Sequence, residues 1–378
     1  MKLFDEKQRD HMAPIENTEH PFTYLDRSSR PEAANVREFV ERAFSYYPAE
    51  RQAELGARLR SEEHYRSGSF ELVLHELLRA RELSVEIESP KTGTAKRPDF
   101  LVGSGAESFY LEAILATEGS ARTAEAKRLG QLLDVVSRMQ SDSFYIGFDV
   151  EATGPGQPSA KSIIEYLTYK TGSLDADDES IWIGPDGFTS PAWVWEDQGW
   201  RIVFSPMPKK VSARGQRGRR AVGMVTEGLR AMNTDEAIRG AVRKKATRYG
   251  EMDRPYVVAV NVLTWPIDEI DCIEALFGSF DGTEYVPDGG ERFLRKPDGV
   301  LRPGMNTRVS AVAFFEDVEP WTAAKRDAFV IHNRFAERPL PFGTLGIPDA
   351  RAHGDTLERQ GGKTLGELLG LPPRWPGE

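Results

Sequence analysis

The chain has 378 residues, 39% of them hydrophobic and 29% charged, with a mean hydropathy of −0.47 and a formal net charge of −10. That length holds one large domain or two ordinary ones, and the acidic balance excludes a protein that coats nucleic acid over its whole surface while allowing one local basic patch. A single cysteine, Cys272, excludes an internal disulfide framework and a cysteine-built metal cage.

Met1 to Arg9 is too polar for an export leader, and the apolar runs, such as Val257 to Val260, are too short to cross a membrane, so the expected location is the cytoplasm. The opening thirty residues read as irregular chain. A helix is predicted from Pro31 to about Tyr47, with Val36, Phe39, Val40, Ala43 and Phe44 on one stripe, and a second helical stretch from Pro48 to about Arg60. Phe70, Val73, Leu74, Leu77 and Leu78 share one face of a helix over 69–81. Strands follow at Leu83 to Ser89, Arg97 to Val102 and Phe109 to about Leu115, the last two joined by a turn around Gly105 and Ala106. A helix over 121–139 and a strand from Phe144 to Val150 complete this block.

From 151 to 233 the pattern weakens. Ile163, Ile164 and Leu167 suggest a short helix, and Trp193 to Trp195 with Trp200 to Phe204 read as a hairpin. Lys209, Lys210, Arg214, Arg217, Arg219 and Arg220 crowd into twelve residues, either as a solvated loop or as a nucleic-acid contact. A well-bounded helix runs from Thr234 to Tyr249, followed by a strand from Tyr256 to Leu263 and a helix ending near Phe277. Late strands are expected at Val309 to Phe315 and Ala328 to Asn333. Cys272, between Ile270 and Ile273, reads as a buried structural thiol. His75 has no second histidine at ligand spacing and reads as a helix-surface residue.

The fold class expected is α/β: a mixed central sheet flanked by helices, with N-terminal helices over 1–68 and C-terminal α/β elaborations over 234–378. The pattern favours one elaborated domain over two independent ones, with a hairpin-rich insertion over 151–233.

Pairing the second and third strands about Gly105–Ala106 sets Phe100 against Leu111, Leu101 against Tyr110 and Asp99 against Glu112. Alternation puts Asp99, Leu101, Tyr110 and Glu112 on one face. Two carboxylates directly opposite, about 4.5–5.5 Å apart at Cβ, destabilise a sheet unless a cation joins them. A divalent ion such as Mg²⁺ or Mn²⁺ is one solution. The other is a turn-ending aspartate and a strand-end glutamate with no shared task. Glu71, on the edge of the 69–81 stripe, is a possible third acid.

Helix, three strands, helix and strand, with Arg97-Pro98-Asp99 on the second strand and Leu111-Glu112-Ala113 on the third, resembles the PD-(D/E)xK nucleases. The resemblance covers about 69–150 and implies a restriction-endonuclease-like core that cuts phosphodiesters with Mg²⁺. It implies Asp99, Glu112, Glu71 and the Ala113 carbonyl as metal ligands, and DNA as partner, with a homodimer an open arrangement. The family's lysine belongs two residues after Glu112, where this chain has Ile114. Register nominates Arg97, opposite Ile114, as the cation in its place, and Arg122 is a second candidate. Lys127 has the wrong helical phase. An arginine can hold phosphate bidentately and cannot serve as a base. The functions expected are therefore a metal-dependent nuclease, a pseudo-nuclease that binds nucleic acid or a protein without cutting, or a retaining glycosidase using the close carboxylates. The tryptophans at 182, 193, 195 and 200 either stack on sugar or pack the hairpin.

Overall fold

A computed structural model describes residues 1–377 apart from 89–96, 104–107, 118–119, 185–186, 216–220, 228–233, 264–266, 286–290 and 354–355. In chain order the elements open with α1 (Pro21–Arg27), α2 (Pro31–Tyr46), α3 (Gln52–Arg60), α4 (Tyr65–Ala80), β1 (Val85–Ile87), β2 (Phe100–Val102) and β3 (Phe109–Ala116). Next are α5 (Ser120–Ser137), β4 (Phe144–Ala152), α6 (Ala160–Gly172), α7 (Glu179–Trp182), the two-residue strands β5 (Ile183–Gly184) and β6 (Gly187–Phe188), β7 (Trp193–Asp197), β8 (Trp200–Pro208) and β9 (Val222–Glu227). The chain continues through α8 (Thr234–Ala246), β10 (Tyr256–Val262), α9 (Glu269–Phe277), β11 (Phe280–Tyr285), β12 (Glu291–Arg295), β13 (Ala311–Glu316), β14 (Ala328–His332), β15 (Asp349–His353), β16 (Thr356–Gln360) and α10 (Leu365–Leu368).

These elements form two compact units, where the sequence pattern favours one. The first comprises Met1–Met12, His20–Glu118 and Asn233–Glu378; the second comprises Ala13–Glu19 and Gly119–Met232.

The first unit is a mixed α/β layer structure. Its sheet has the strand order β1-β2-β3-β10-β13-β14-β15-β16. β1, β2 and β3 pair antiparallel, whereas β10 lies parallel to both β3 and β13. All seven residues of β10 are buried, as a central strand covered on both faces requires. Each valine so buried contributes about 1.5–3 kcal/mol of transfer free energy. Its buried amide side chain, Asn261, is satisfied: Nδ2 donates to Val318 O and Oδ1 accepts from Val318 N, both at 2.8 Å. That reciprocal pair pins the turn after β13. α8 precedes β10 and buries Ile238, Ala241, Val242 and Ala246 in the core with Val258, Val260 and Val262. Cys272 is buried in the same core, as expected.

The second unit has its own sheet, in the order β7-β8-β4-β9. Its core gathers Leu129, Leu132 and Val136 from α5, Ile146 and Phe148 from β4, and Trp182, Trp193, Trp195 and Trp200. The tryptophans pack rather than line a groove, and Trp200 Nε1 donates to Gly156 O at 2.8 Å.

This arrangement corrects the expected 69–150 block. The helix over 121–139 and the strand from Phe144 form, but β4 pairs antiparallel with β8 and parallel with β9, not with the carboxylate hairpin. The parallel neighbour of β3 is β10, reached through α8 after an insertion of more than a hundred residues. The physical reason is visible in burial. β4 mixes buried, half-buried and exposed positions, while β10 is buried throughout, and only the latter suits the interior of a sheet covered on both faces.

Candidate active site

Expected register and observed register agree at the β2–β3 hairpin: Phe100 pairs with Leu111, Leu101 with Tyr110 and Val102 with Phe109. Its turn around Gly105–Ala106 lies outside the described residues. The ladder stops at Phe100, and side chains take over from backbone. Asp99 N donates to Glu112 Oε2 at 3.1 Å, and Ala113 N donates to Asp99 Oδ2 at 2.7 Å. Asp99 and Glu112 are thus neighbours at the end of the hairpin.

Glu112 is fully buried. Burial of a carboxylate is tolerated when every acceptor is used and charge is matched. Here Oε1 accepts from Lys245 Nζ at 2.5 Å and from Arg248 Nη1 at 2.8 Å. Oε2 accepts from Tyr249 Oη at 2.7 Å as well as from Asp99 N. Tyr249 Oη also lies 2.9 Å from Arg97 O, so its single proton has two acceptors, and the charged one is the stronger. Burial, then the hydrogen bond to Glu112, push the Tyr249 hydroxyl well above the usual phenol range, which keeps it a donor. Three side-chain donors for one carboxylate therefore come from five residues, Lys245 to Tyr249, at the end of α8 and in the turn beyond it.

Glu71 projects from α4. Its Oε1 accepts from Tyr47 Oη at 2.5 Å and its Oε2 from Arg58 Nη1 at 2.6 Å. Burial and Glu71 raise the Tyr47 hydroxyl far above its ordinary value. Beside Tyr47, with ring centroids 5.0 Å apart, His75 is buried rather than on the helix surface, and burial lowers its pKa to about 4.

Asp99 is the unbalanced member of the group. Burial first, then the charges of Glu112 and Glu71 against the opposing pull of Lys245, push its carboxyl up to about 7. Asp99, Glu71, Ala113 and Lys245 line one cavity of about 220 Å³, together with Tyr47, Arg51 and Arg58. The cavity belongs entirely to the first unit. A carboxyl that burial, and after it neighbouring carboxylates, drive toward its neutral form marks a place where a cation is favoured. Asp99 accepts from Ala113 N at Oδ2, and Glu71 in the same cavity already accepts at both oxygens, from Tyr47 and Arg58. These are oxygen ligands of the kind a divalent ion takes beside water and phosphate oxygens, but an ion reaching Glu71 must displace one of its donors. The same holds for Glu112, which has four donors to displace and, being fully buried, does not itself line the cavity. Among the described residues, no three His, Cys, Asp or Glu side chains converge closely enough to hold a metal by themselves.

Arg97 does not fill the lysine's place. The strand expected from Arg97 begins only at Phe100, and the Arg97 side chain is exposed and absent from the cavity lining. The Arg122 side chain lies outside the described residues, and Lys127 is exposed in the second unit. The cations beside Glu112 are Lys245 and Arg248, both missed by sequence reasoning, and of the two Lys245 also lines the cavity. Its signal was present: with Ile238, Ala241 and Val242 it falls on the buried stripe of α8.

The basic cluster is less of a patch than its sequence suggests. Lys209 is buried, donates from Nζ to Ser141 O at 2.5 Å and stands 4.9 Å from the centroid of the Tyr145 ring. Arg214 makes a bidentate pair with Asp177, both bonds 2.7 Å. Lys210 is exposed, and Arg217, Arg219 and Arg220 lie outside the described residues. Among the described residues, no helix is long and apolar enough to cross a membrane.

No family model, curated protein or solved structure matches the chain.

Proposed function

We propose that the first unit is a divalent-metal-dependent nuclease that hydrolyses phosphodiesters, with DNA as its substrate. The observation that carries this reading is Lys245 Nζ on Glu112 Oε1, in the cavity lined by Asp99, Glu71 and Ala113. With the insertion set aside, α4, β1, β2, β3, α8 and β10 follow the order of a restriction-endonuclease-like core. In this reading the lysine absent from position 114 has moved to a neighbouring helix whose end meets the same carboxylate.

Asp99 would hold the ion, Mg²⁺ or Mn²⁺, and Glu71 and the Ala113 carbonyl would be further donors. When bound, the ion activates water and offsets charge on the phosphate. Glu112 fixes the position of Lys245, and the ammonium meets charge developing on a phosphate oxygen in the cavity. Arg248 and Tyr249 hold Glu112 in place as Lys245 engages substrate.

A second reading has one observation in its favour. All four contacts of Glu112 are already filled, as in a structural ion network, so the cavity could bind nucleic acid or a protein partner without cutting. Incubation of the full chain with plasmid and single-stranded substrates in Mg²⁺, Mn²⁺ or EDTA separates the two. Metal-dependent cleavage that Lys245→Met abolishes is the expected result. No cleavage of any substrate with either metal overturns the nuclease reading.

A further inference from the structure

We propose that Arg58, assisted by Arg51, forms a phosphate-binding subsite in the cavity that contains Asp99 and Lys245. The inference deepens the phosphodiesterase reading and rests on it for the class of ligand. Arg58 comes from the last turn of α3, outside the carboxylate hairpin, and its side chain keeps 28% exposure. Nη1 is bound to Glu71 Oε2 at 2.6 Å, and among the described residues Nη2 has a single long contact, 3.4 Å from Ser67 Oγ. A guanidinium carries five donors in a rigid fork that matches phosphate, so Arg58 can keep Glu71 and still engage an anion.

Arg51 lines the same cavity. It pairs with Glu88 at 2.8 Å and more loosely with Glu54 at 3.5 Å, and all three side chains are partly exposed. Such pairs are weak in water and exchange readily for a phosphate. Glu88 is held in the left-handed region, φ 48°, while its N–H donates to the Asp99 carbonyl at 3.0 Å. A non-glycine residue in this region is uncommon, and at a cavity wall it is a reason to look for function. It links the residue that positions Arg51 directly to Asp99.

Charge sets the order of binding. The lining carries the acids Glu54, Glu71, Glu88 and Asp99 against the cations Arg51, Arg58 and Lys245. A bare anion therefore meets a site with an excess of acids, and a divalent cation reverses the balance. Phosphate and Mg²⁺ should each tighten the other by the same factor. The volume of about 220 Å³ lies below the roughly 300–1,000 Å³ of drug-sized ligand sites and suits one phosphate with its sugar.

The test is calorimetric titration of inorganic phosphate into the full chain at pH 8, with and without Mg²⁺. Mg²⁺ should tighten phosphate by about tenfold or more. Arg58→Lys, which retains a charge for Glu71 and so the fold, should lose about tenfold in Mg²⁺ because the fork is gone, and Arg58→Ala more. Equal phosphate affinity in wild type and both variants, or no measurable binding in Mg²⁺, overturns the subsite. Nucleic-acid turnover keeps this separate from the nuclease reading. Cleavage with unchanged KM and kcat in both Arg58 variants removes the subsite and leaves the nuclease. Phosphate bound through Arg58 by a chain that cuts nothing leaves the subsite and removes the nuclease.

Discussion

Lys245 Nζ lies 2.5 Å from Glu112 Oε1, although 133 residues of chain separate them. Both side chains are at most one-tenth exposed. Removing one member of a buried ion pair typically costs about 3–5 kcal/mol, because the other charge remains buried. Arg248 and Tyr249 still hold Glu112, so Lys245→Met should cost about 3 kcal/mol, measured by urea unfolding. In a Glu112→Gln background the same substitution should cost far less. An equal cost in both backgrounds contradicts the coupling.

Position 114 offers a sharper test of the proposed chemistry. Ile114 lies two residues after Glu112 on β3, lines the cavity and packs against the α8–β10 core. In wild type, Ile114→Lys should bring no gain, since it places a second ammonium at an occupied carboxylate and loses apolar packing. Combined with Lys245→Met, the same lysine should restore much of the cleavage lost. Restoration to within about tenfold of wild type supports the transposed lysine, given that single electrostatic donors contribute about 10²–10³ in rate. A gain in wild type with no rescue in the double variant contradicts it.

Asp99 sets a pH dependence. Because burial favours its neutral form, the folded chain retains a proton between the ordinary value of 3.8 and about 7 that the unfolded chain releases. Stability from this group is complete below about pH 4, declines as pH rises toward 7, and is flat above. Asp99→Asn should remove that decline and be the more stable protein at pH 8, read from melting temperature against pH. Mg²⁺ should raise the wild-type melting temperature more at pH 8 than at pH 5, where the ion must displace the proton. Identical pH profiles for wild type and Asp99→Asn eliminate the effect.

In the second unit, Lys209 is expected to behave as a structural residue. Its ammonium is tied to Ser141 O and lies near the Tyr145 ring, so Lys209→Met should lower stability by about 1–2 kcal/mol. The salt dependence of any nucleic-acid binding should stay as in wild type. A salt slope reduced by about one unit assigns Lys209 to a phosphate contact instead.

Local patterns carried much of the fold and half of the site. The period of Phe70 to Leu78, the Trp193–Trp200 hairpin and the pattern of 234–249 each describe an element from its own residues, and the elements are there, the last as a helix that ends at Ala246 rather than Tyr249. The pairing of Phe100 with Leu111 also follows from a turn and an alternation. What the chain does between β3 and β10 follows no such rule. Two helix–strand pairs compete to be the neighbour of β3, and α5–β4 comes first in sequence. Only the unbroken burial of Tyr256 to Val262 distinguishes the second pair, and a continuous apolar run is a weaker signal than a period. Lys245 was lost for the same reason, since a lysine three residues beyond Val242 reads as solvent-facing until the partner of α8 is known. Arg97 was chosen from register continued three residues past the point where side chains end the ladder.

The long insertion between β3 and α8 also fixes when the site can exist during synthesis. Glu112 leaves the ribosome well before Lys245, and at about 5–20 residues per second the interval is roughly 7–27 s. Throughout it, the nascent hairpin holds a carboxylate whose two cationic partners and tyrosine have not been made. Burying that charge alone is strongly unfavourable, so the β2–β3 end of the sheet must remain hydrated while the second unit is translated. Closure of the first unit then awaits α8, and a chain stalled before Thr234 presents an open hairpin with neither the ammonium nor the central strand to complete it.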